Sequence, residues 1–280
     1  MIDCNIPKRK ELVLDRNLLT IWYPSFIYET ELNFYQREIT SISKETFRGL
    51  SQLESVSLGR NEITAFDATL FDDLTELIQL DLHSNPLSDH YFDPNIFKSL
   101  TKLEVLNLGQ NQLRSLDKAL FKGLGKLTAL ELFDNELSFL DADIFRDLKE
   151  IRNLYLFSNQ ISHLDPTIFN GLTELYQLDL DYNYLTNLDA NLFKDLFRLE
   201  ILEISYNQLT SLSTDLFKDL TLLHTLSLRG NNLISIDRNV FIGLINLEDV
   251  NLSENPISVI QPTYVLQLCA TNPKCIIHIA

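Results

Sequence analysis

The sequence predicts a curved right-handed solenoid of the α/β class, with a parallel sheet lining the inner arc and short helical or irregular segments outside. Three observations carry this. Nine phenylalanines, Phe47, Phe71, Phe97, Phe121, Phe145, Phe169, Phe193, Phe217 and Phe241, follow one another at 24-residue intervals apart from one step of 26. Asparagines recur with the same period at Asn61, Asn85, Asn111, Asn135, Asn159, Asn183, Asn207, Asn231 and Asn255. Ahead of each stands an alternation such as Leu130 and Leu132, which sends every second side chain inward and marks a short strand with one buried face.

Numbered from the first core residue, units begin at Glu29, Leu53, Leu77, Leu103, Leu127, Ile151, Leu175, Leu199, Leu223 and Leu247. Residues 1–28 form an N-terminal cap and a divergent first repeat carrying Leu12, Leu14, Asn17, Leu19 and Trp22, 29–260 form the regular array, and 261–280 the C-terminal cap. Each Asn follows its strand where the chain turns into the core. Its amide has two donors and an acceptor for backbone groups that would otherwise go unpaired. Arg37 takes this place in the unit from Glu29, so that turn should be looser or differently bonded. Asp117, Asp141, Asp165, Asp189 and Asp237 each stand four residues before a Phe, suited to capping a short helical turn. The Phe rings that follow stack as a core spine. The two extra residues between Asn85 and Phe97 belong on the convex or lateral side, where repeat arrays place insertions. At the far end, Pro262 to Leu268 reads as a short helix with Pro in its first turn.

One unit in full runs Leu127, Leu130, Leu132, Asn135, Leu137, Leu140, Phe145 and Leu148, which is LxxLxLxxNxLxxLxxxxFxxL. On these residues the chain resembles the leucine-rich-repeat family, and the late Phe makes it similar to the 24-residue subclass that includes Toll-like receptor ectodomains, Slit domains and lamprey variable lymphocyte receptors. The resemblance covers roughly residues 9 to 260 and implies a leucine-rich-repeat solenoid. It also implies a receptor-like protein that binds other proteins in an extracellular or cell-surface setting. Secreted relatives carry four-cysteine caps, whereas this chain has Cys4, Cys269 and Cys275 alone. Residues 1–7 lack the basic and apolar stretches of a secretory signal, which leaves a cytosolic or secreted-effector setting open. Cys269 and Cys275 are close enough to bridge if the chain turns back at Thr271 to Pro273; Cys4 lies at the other end of the array.

A net charge of −16 over 280 residues disfavours nucleic acid and anionic lipid, which both need a surplus of Lys and Arg at the contact. It suits a protein or peptide partner of basic character. Apolar residues nowhere run for the length of a membrane span. Catalysis is not expected: GxSxG, GxxxxGK[ST] and HExxH are absent, and the histidines are scattered at 83, 90, 163, 224 and 278. Nor is a cofactor. Asp81, His83, Asp89, His90 and Asp93 match no metal-ligand spacing, so no metal is expected there either.

The repeat leaves positions three, five, seven and eight of each unit free to vary, and these face out from the inner arc. In the middle to C-terminal half they bring Phe133, Tyr155 and Phe157 beside Glu131, Asp179, Asp181 and Glu203, with Tyr182, Tyr184 and Tyr206 along the adjoining edge and Arg229 beyond. Exposed aromatics concentrate at interface centres, and the acids favour a Lys or Arg from the partner. The candidate ligand-binding residues are therefore Phe133, Tyr155, Phe157, Asp179, Asp181, Tyr182, Glu203, Tyr206 and Arg229. The rival reading is that the rings only pack across neighbouring strands. A second role, assembly through the convex side or the solenoid ends, makes the N-terminal end around Arg37 and Cys4 to Trp22 a candidate joint. One sequon, Asn251-Leu252-Ser253, offers an outward glycan site near the end of the arc.

Overall fold

Three-residue strands recur once per unit, at positions three to five ahead of the Asn turn. The computed structural model describes residues 11–88, 92–237, 239–257 and 274–279. Two short segments, β1 (Val13–Leu14) and β3 (Ser41–Ile42), pair in parallel. The main sheet runs from β2 (Glu31–Asn33) through β4 (Ser55–Ser57), β5 (Gln79–Asp81), β6 (Val105–Asn107), β7 (Ala129–Glu131) and β8 (Asn153–Tyr155). It continues with β9 (Gln177–Asp179), β10 (Ile201–Glu203), β11 (Thr225–Ser227), β12 (Asp249–Asn251) and β13 (Ile276–His278). Its 11 strands lie in chain order, each parallel to the last. Register advances by one repeat, so Leu130 pairs with Leu154 and Leu154 with Leu178. The middle residue of β2 and of β4 to β12 is buried and its neighbours are exposed or half-buried, apart from Ser227, which is buried.

The asparagine ladder bonds as its chemistry requires. Asn159 Oδ1 accepts from the Leu137 amide at 3.1 Å, and Asn159 Nδ2 donates to the Leu132 and Leu156 carbonyls at 2.9 and 3.1 Å. Each Asn thus ties its own turn to the previous unit. Where Arg37 replaces Asn, the turn is bonded differently. Gln36 takes positive φ as position eight of the later units does, and the Arg37 amide donates to Asn61 Oδ1 as the Asn85 amide does to Asn111; the positive φ of Glu38, 59°, is what sets this turn apart. The Arg37 guanidinium lies over the Trp22 ring at 5.4 Å.

Behind the sheet the Phe rings are fully buried and stack in two runs, Phe47 to Phe97 and Phe121 to Phe241, as in Phe145 on Phe169 at 6.3 Å and Phe193 on Phe217 at 6.2 Å. Each contributes roughly 1.5–3 kcal/mol by area. The 26-residue step leaves this spine and the strand register intact: Phe71 stacks on Phe97 at 6.3 Å and Gln79 pairs with Val105. Phe92, within the longer unit, packs against Phe97 and Phe66. Asp89 and His90 lie outside the described residues.

On the return side, Asp117, Asp141, Asp165, Asp189 and Asp237 each accept the amide two residues on, as in Asp165 Oδ1 from Thr167 at 2.8 Å. They cap runs of β-turns, not helical turns. Asp67 and Asp93 do the same. Helix occurs among the described residues only near the start, in α1 (Arg16–Trp22) and a 3₁₀ turn at Phe26–Tyr28. Asp15 caps α1 through the Leu18 amide at 2.8 Å. Leu19 and the ring contacts Trp22 to Phe34 and Tyr23 to Phe34 close the first core layer. Cys275 is disulfide-bonded. Cys4, Cys269 and the predicted 262–268 helix lie outside the described residues.

Candidate functional site

Strand register sets the inner face in rows. At position five, Glu131 stands beside Tyr155, Tyr155 beside Asp179, Asp179 beside Glu203 and Glu203 beside Ser227. At position seven the same order brings Phe133, Phe157, Asp181, Ser205 and Arg229 into line. Phe133 and Phe157 stack at 4.8 Å with planes 3° apart, and both stay half-buried. The rings therefore pack across strands and still present a face to solvent. A Cβ on Gly109 would lie 2.6 Å from the Phe133 ring, so the glycine makes room for the stack. The Tyr155 hydroxyl donates to Gln177 Oε1 at 3.3 Å, which lays that ring along the sheet.

Beside the stack lie three half-buried carboxylates. Asp179 Oδ1 accepts the Asp181 amide at 3.0 Å, and Asp181 Oδ1 accepts the Ser205 amide. Burial, then the neighbouring Asp179, pushes Asp181 up to about 7, against the pull of its bonds from Ser205. Burial, followed by Asp181 and Asp179, pushes Glu203 up to about 7 as well. Burial raises Asp179 and Glu131 in the same direction. The cluster is short of positive charge, and its charged form is costly until a cation arrives.

Tyr182, Tyr206 and Arg229 form a separate group on the edge. Tyr182 and Tyr206 sit at position eight with φ of 53° and 52°, which turns their side chains off the sheet. They stack on each other at 4.5 Å. Arg229 lies over Tyr206 at 5.4 Å and its Nη2 donates to Glu254 Oε1 at 2.6 Å. Tyr184 stands exposed on the same edge. The nine predicted residues thus divide into an inner cluster of six and an edge stack of three.

The sequence reading did not find the spacing glycines. Gly59 makes room for His83 and Gly230 for Tyr206 as Gly109 does for Phe133. The signal was present: at position seven, Gly59 precedes His83 and Gly109 precedes Phe133. His83 Nδ1 lies 2.6 Å from Asp81 Oδ1, and Ser57 Oγ donates to Asp81 Oδ2 at 2.9 Å. Among the described residues no three His, Cys, Asp or Glu are grouped to hold a metal ion. No helix among them is long and apolar enough to cross a membrane.

A solenoid of parallel strands joined by buried Asn turns and a Phe spine defines the class, and the family comparison agrees. The chain matches the leucine rich repeat model over 30–87, 91–137, 127–185, 173–233 and 221–268, and it belongs to that family. Among curated relatives it is 32% identical over 104 residues to mouse Toll-like receptor 13, covering 35% of this chain and 10% of the receptor. Mouse keratocan is 37% identical over 68 residues, covering 24% of this chain and 19% of keratocan. The matched part is therefore a tenth to a fifth of those relatives. Of solved structures, a leucine-rich-repeat protein of Leptospira interrogans superposes with TM-score 0.64 at 28% identity, over 85% of this chain and 64% of that one. A chain of the Drosophila Toll–Spatzle complex gives 0.72 at 24%, over 87% and 35%. A chain of the Toll-like receptor 13 complex with single-stranded RNA gives 0.53 at 23%, over 96% and 52%. At those identities the last two speak for the fold.

Proposed function

We propose that this chain is a non-catalytic recognition module that takes a protein or peptide of basic character on its concave face. Phe133, Tyr155, Phe157, Asp179, Asp181 and Glu203 form the centre, with the Tyr182, Tyr206 and Arg229 stack as its flank. The observation that carries this is the meeting of a half-exposed Phe stack with three carboxylates on a face where the repeat requires neither. Repeat chemistry accounts for the buried Asn, Leu and Phe. It gives no reason for rings and acids to gather outside, whereas an incoming Lys or Arg satisfies both by pairing with the acids and lying over the rings. Mixed aromatic and charged centres are also where binding energy concentrates.

The known complexes of similarly folded chains include one with a protein and one with single-stranded RNA. For this chain the protein reading is favoured by its charge of −16, because RNA binding needs cations at the contact. The setting that goes with this reading is the extracellular or cell-surface one implied by the family resemblance.

The test uses calorimetric titration with a lysine- and arginine-bearing peptide and, in parallel, a single-stranded RNA. The peptide should bind and the RNA should not. Replacing Tyr155→Ala and Phe157→Ala together should weaken peptide binding by about 2 kcal/mol or more, the scale of a hot-spot loss. The far-ultraviolet circular dichroism should be unchanged. Equal affinity in the double variant rejects the site.

A further inference from the structure

We propose that the inner arc selects arginine over lysine, in a slot between the outer face of the Phe157 ring and the Asp179 and Asp181 carboxylates. This rests on the concave reading above and names the side chain that its centre takes. The slot follows from how neighbouring side chains lean. A Cβ on Gly109 would lie 2.6 Å from the Phe133 ring, so that ring leans toward the N-terminal end, over the preceding unit. Phe157 stacks on Phe133 at 4.8 Å with planes 3° apart. That distance matches one strand spacing of about 4.8 Å, so Phe157 leans the same way by the same amount. Asp181, next in the row, leans the other way, because its Oδ1 accepts the Ser205 amide one unit further on. Neighbours that lean apart leave a gap between them wider than one strand spacing.

The walls of this gap differ in kind. On its N-terminal side is the face of Phe157 that Phe133 does not cover, on a ring that stays half-buried. On the other side is Asp181, with Asp179 two residues before it and bonded to its amide at 3.0 Å. Tyr155, paired with Asp179 across β8 and β9, turns its hydroxyl aside to Gln177. The molecule's own cations do not fill the gap. No Lys, Arg or His stands among the groups that set the charge of Asp179, Asp181 or Glu203. Arg229, two units further along the row, is turned to Glu254 and the Tyr206 ring.

Shape and hydration decide between the basic side chains. A guanidinium is flat, so it can lie on the Phe157 face and still turn its edge N–H groups to both carboxylates. A lysine ammonium is a compact charge that pairs with an acid or rests on a ring but has no plane to stack. Entry beside half-buried acids strips water from either cation, and arginine, the more weakly hydrated, loses less.

Calorimetric titration tests this with peptides alike except for one central residue: arginine, lysine or citrulline, the uncharged flat analogue of arginine. At pH 8 Asp181 and Glu203, pushed up to about 7, are charged. The arginine peptide should bind about tenfold or more tightly than the lysine one, and citrulline should bind more weakly than arginine. Phe157→Ala should bring arginine and lysine within about twofold of each other, and Asp181→Asn should weaken arginine binding. Phe139→Ala, exposed and away from the slot, should leave the ratio unchanged. Thermal melts of each variant report folding. Equal affinity for the arginine and lysine peptides, both weakened by Tyr155→Ala with Phe157→Ala, overturns the slot and leaves the concave site standing. An arginine preference that survives in folded Phe157→Ala also overturns the slot. Binding of neither basic peptide overturns both.

Discussion

At the scale of the residue, the buried amide and the exposed ring show what one side chain contributes. Removing Asn159 strands the Leu137 amide inside the core, while the Leu132 and Leu156 carbonyls keep their bonds from Asn135 and Asn183. Asn159→Ala should therefore destabilise by about 1–3 kcal/mol, the cost of one stranded buried donor. Asn187→Ala, in an exposed loop, should stay within about 0.5 kcal/mol. Urea midpoints check both, with hydrogen exchange reporting whether the loss is local to units 127 and 151, since repeat arrays can open in parts. Equal midpoints would contradict the ladder. The Asn roles were legible in sequence because period and chemistry coincide: a polar residue at a strand end, once per unit, has backbone groups to serve. The stack of Phe133 on Phe157 was legible only as proximity. Its 4.8 Å contact depends on side-chain rotamers and on the space above Gly109, which spacing alone does not encode.

At the scale of the element, parallel register turns a list of outward residues into rows and so gathers charge. Asp179, Asp181, Glu203 and Glu131 come from three strands and the turn after β9, and all are raised by burial. Asp181 and Glu203 go from 3.8 and 4.5 to about 7. In the window between those values the native chain holds more protons than the unfolded one, so stability is fully present below about 4 and falls as pH rises through about 7. Asp181→Asn with Glu203→Gln should raise the melting temperature at pH 8 and flatten its slope between pH 5 and 8. A variant with an unchanged slope would remove the carboxylates from the account. These acids were identified in sequence by position, whereas their titration depends on depth beside the rings. The return-side turns went the other way: the capping Asp residues were identified, but helical turns were expected. A cap that accepts the amide two residues on supports a β-turn, and the spacing of Asp to Phe is the same for both.

At the scale of the molecule, the period of 24 was enough to give the solenoid, its sheet and its spine, because every unit repeats one solution to burying a strand and a ring. Departures from the period were harder to place. The first core layer is covered by Leu19, Trp22 and Tyr23 against Phe34, an arrangement with no periodic signal. Together these features divide the molecule into an interior fixed by repetition and outer faces left to recognition, with the proposed patch on the inner arc. Hydroxyl-radical footprinting with and without a saturating lysine- and arginine-bearing peptide tests that division most directly. The account predicts that Phe133, Tyr155 and Phe157 lose reactivity on binding, while the exposed Phe139 and Ile234 keep theirs. Binding that shields Phe139 or Ile234 and leaves Tyr155 and Phe157 reactive would contradict it.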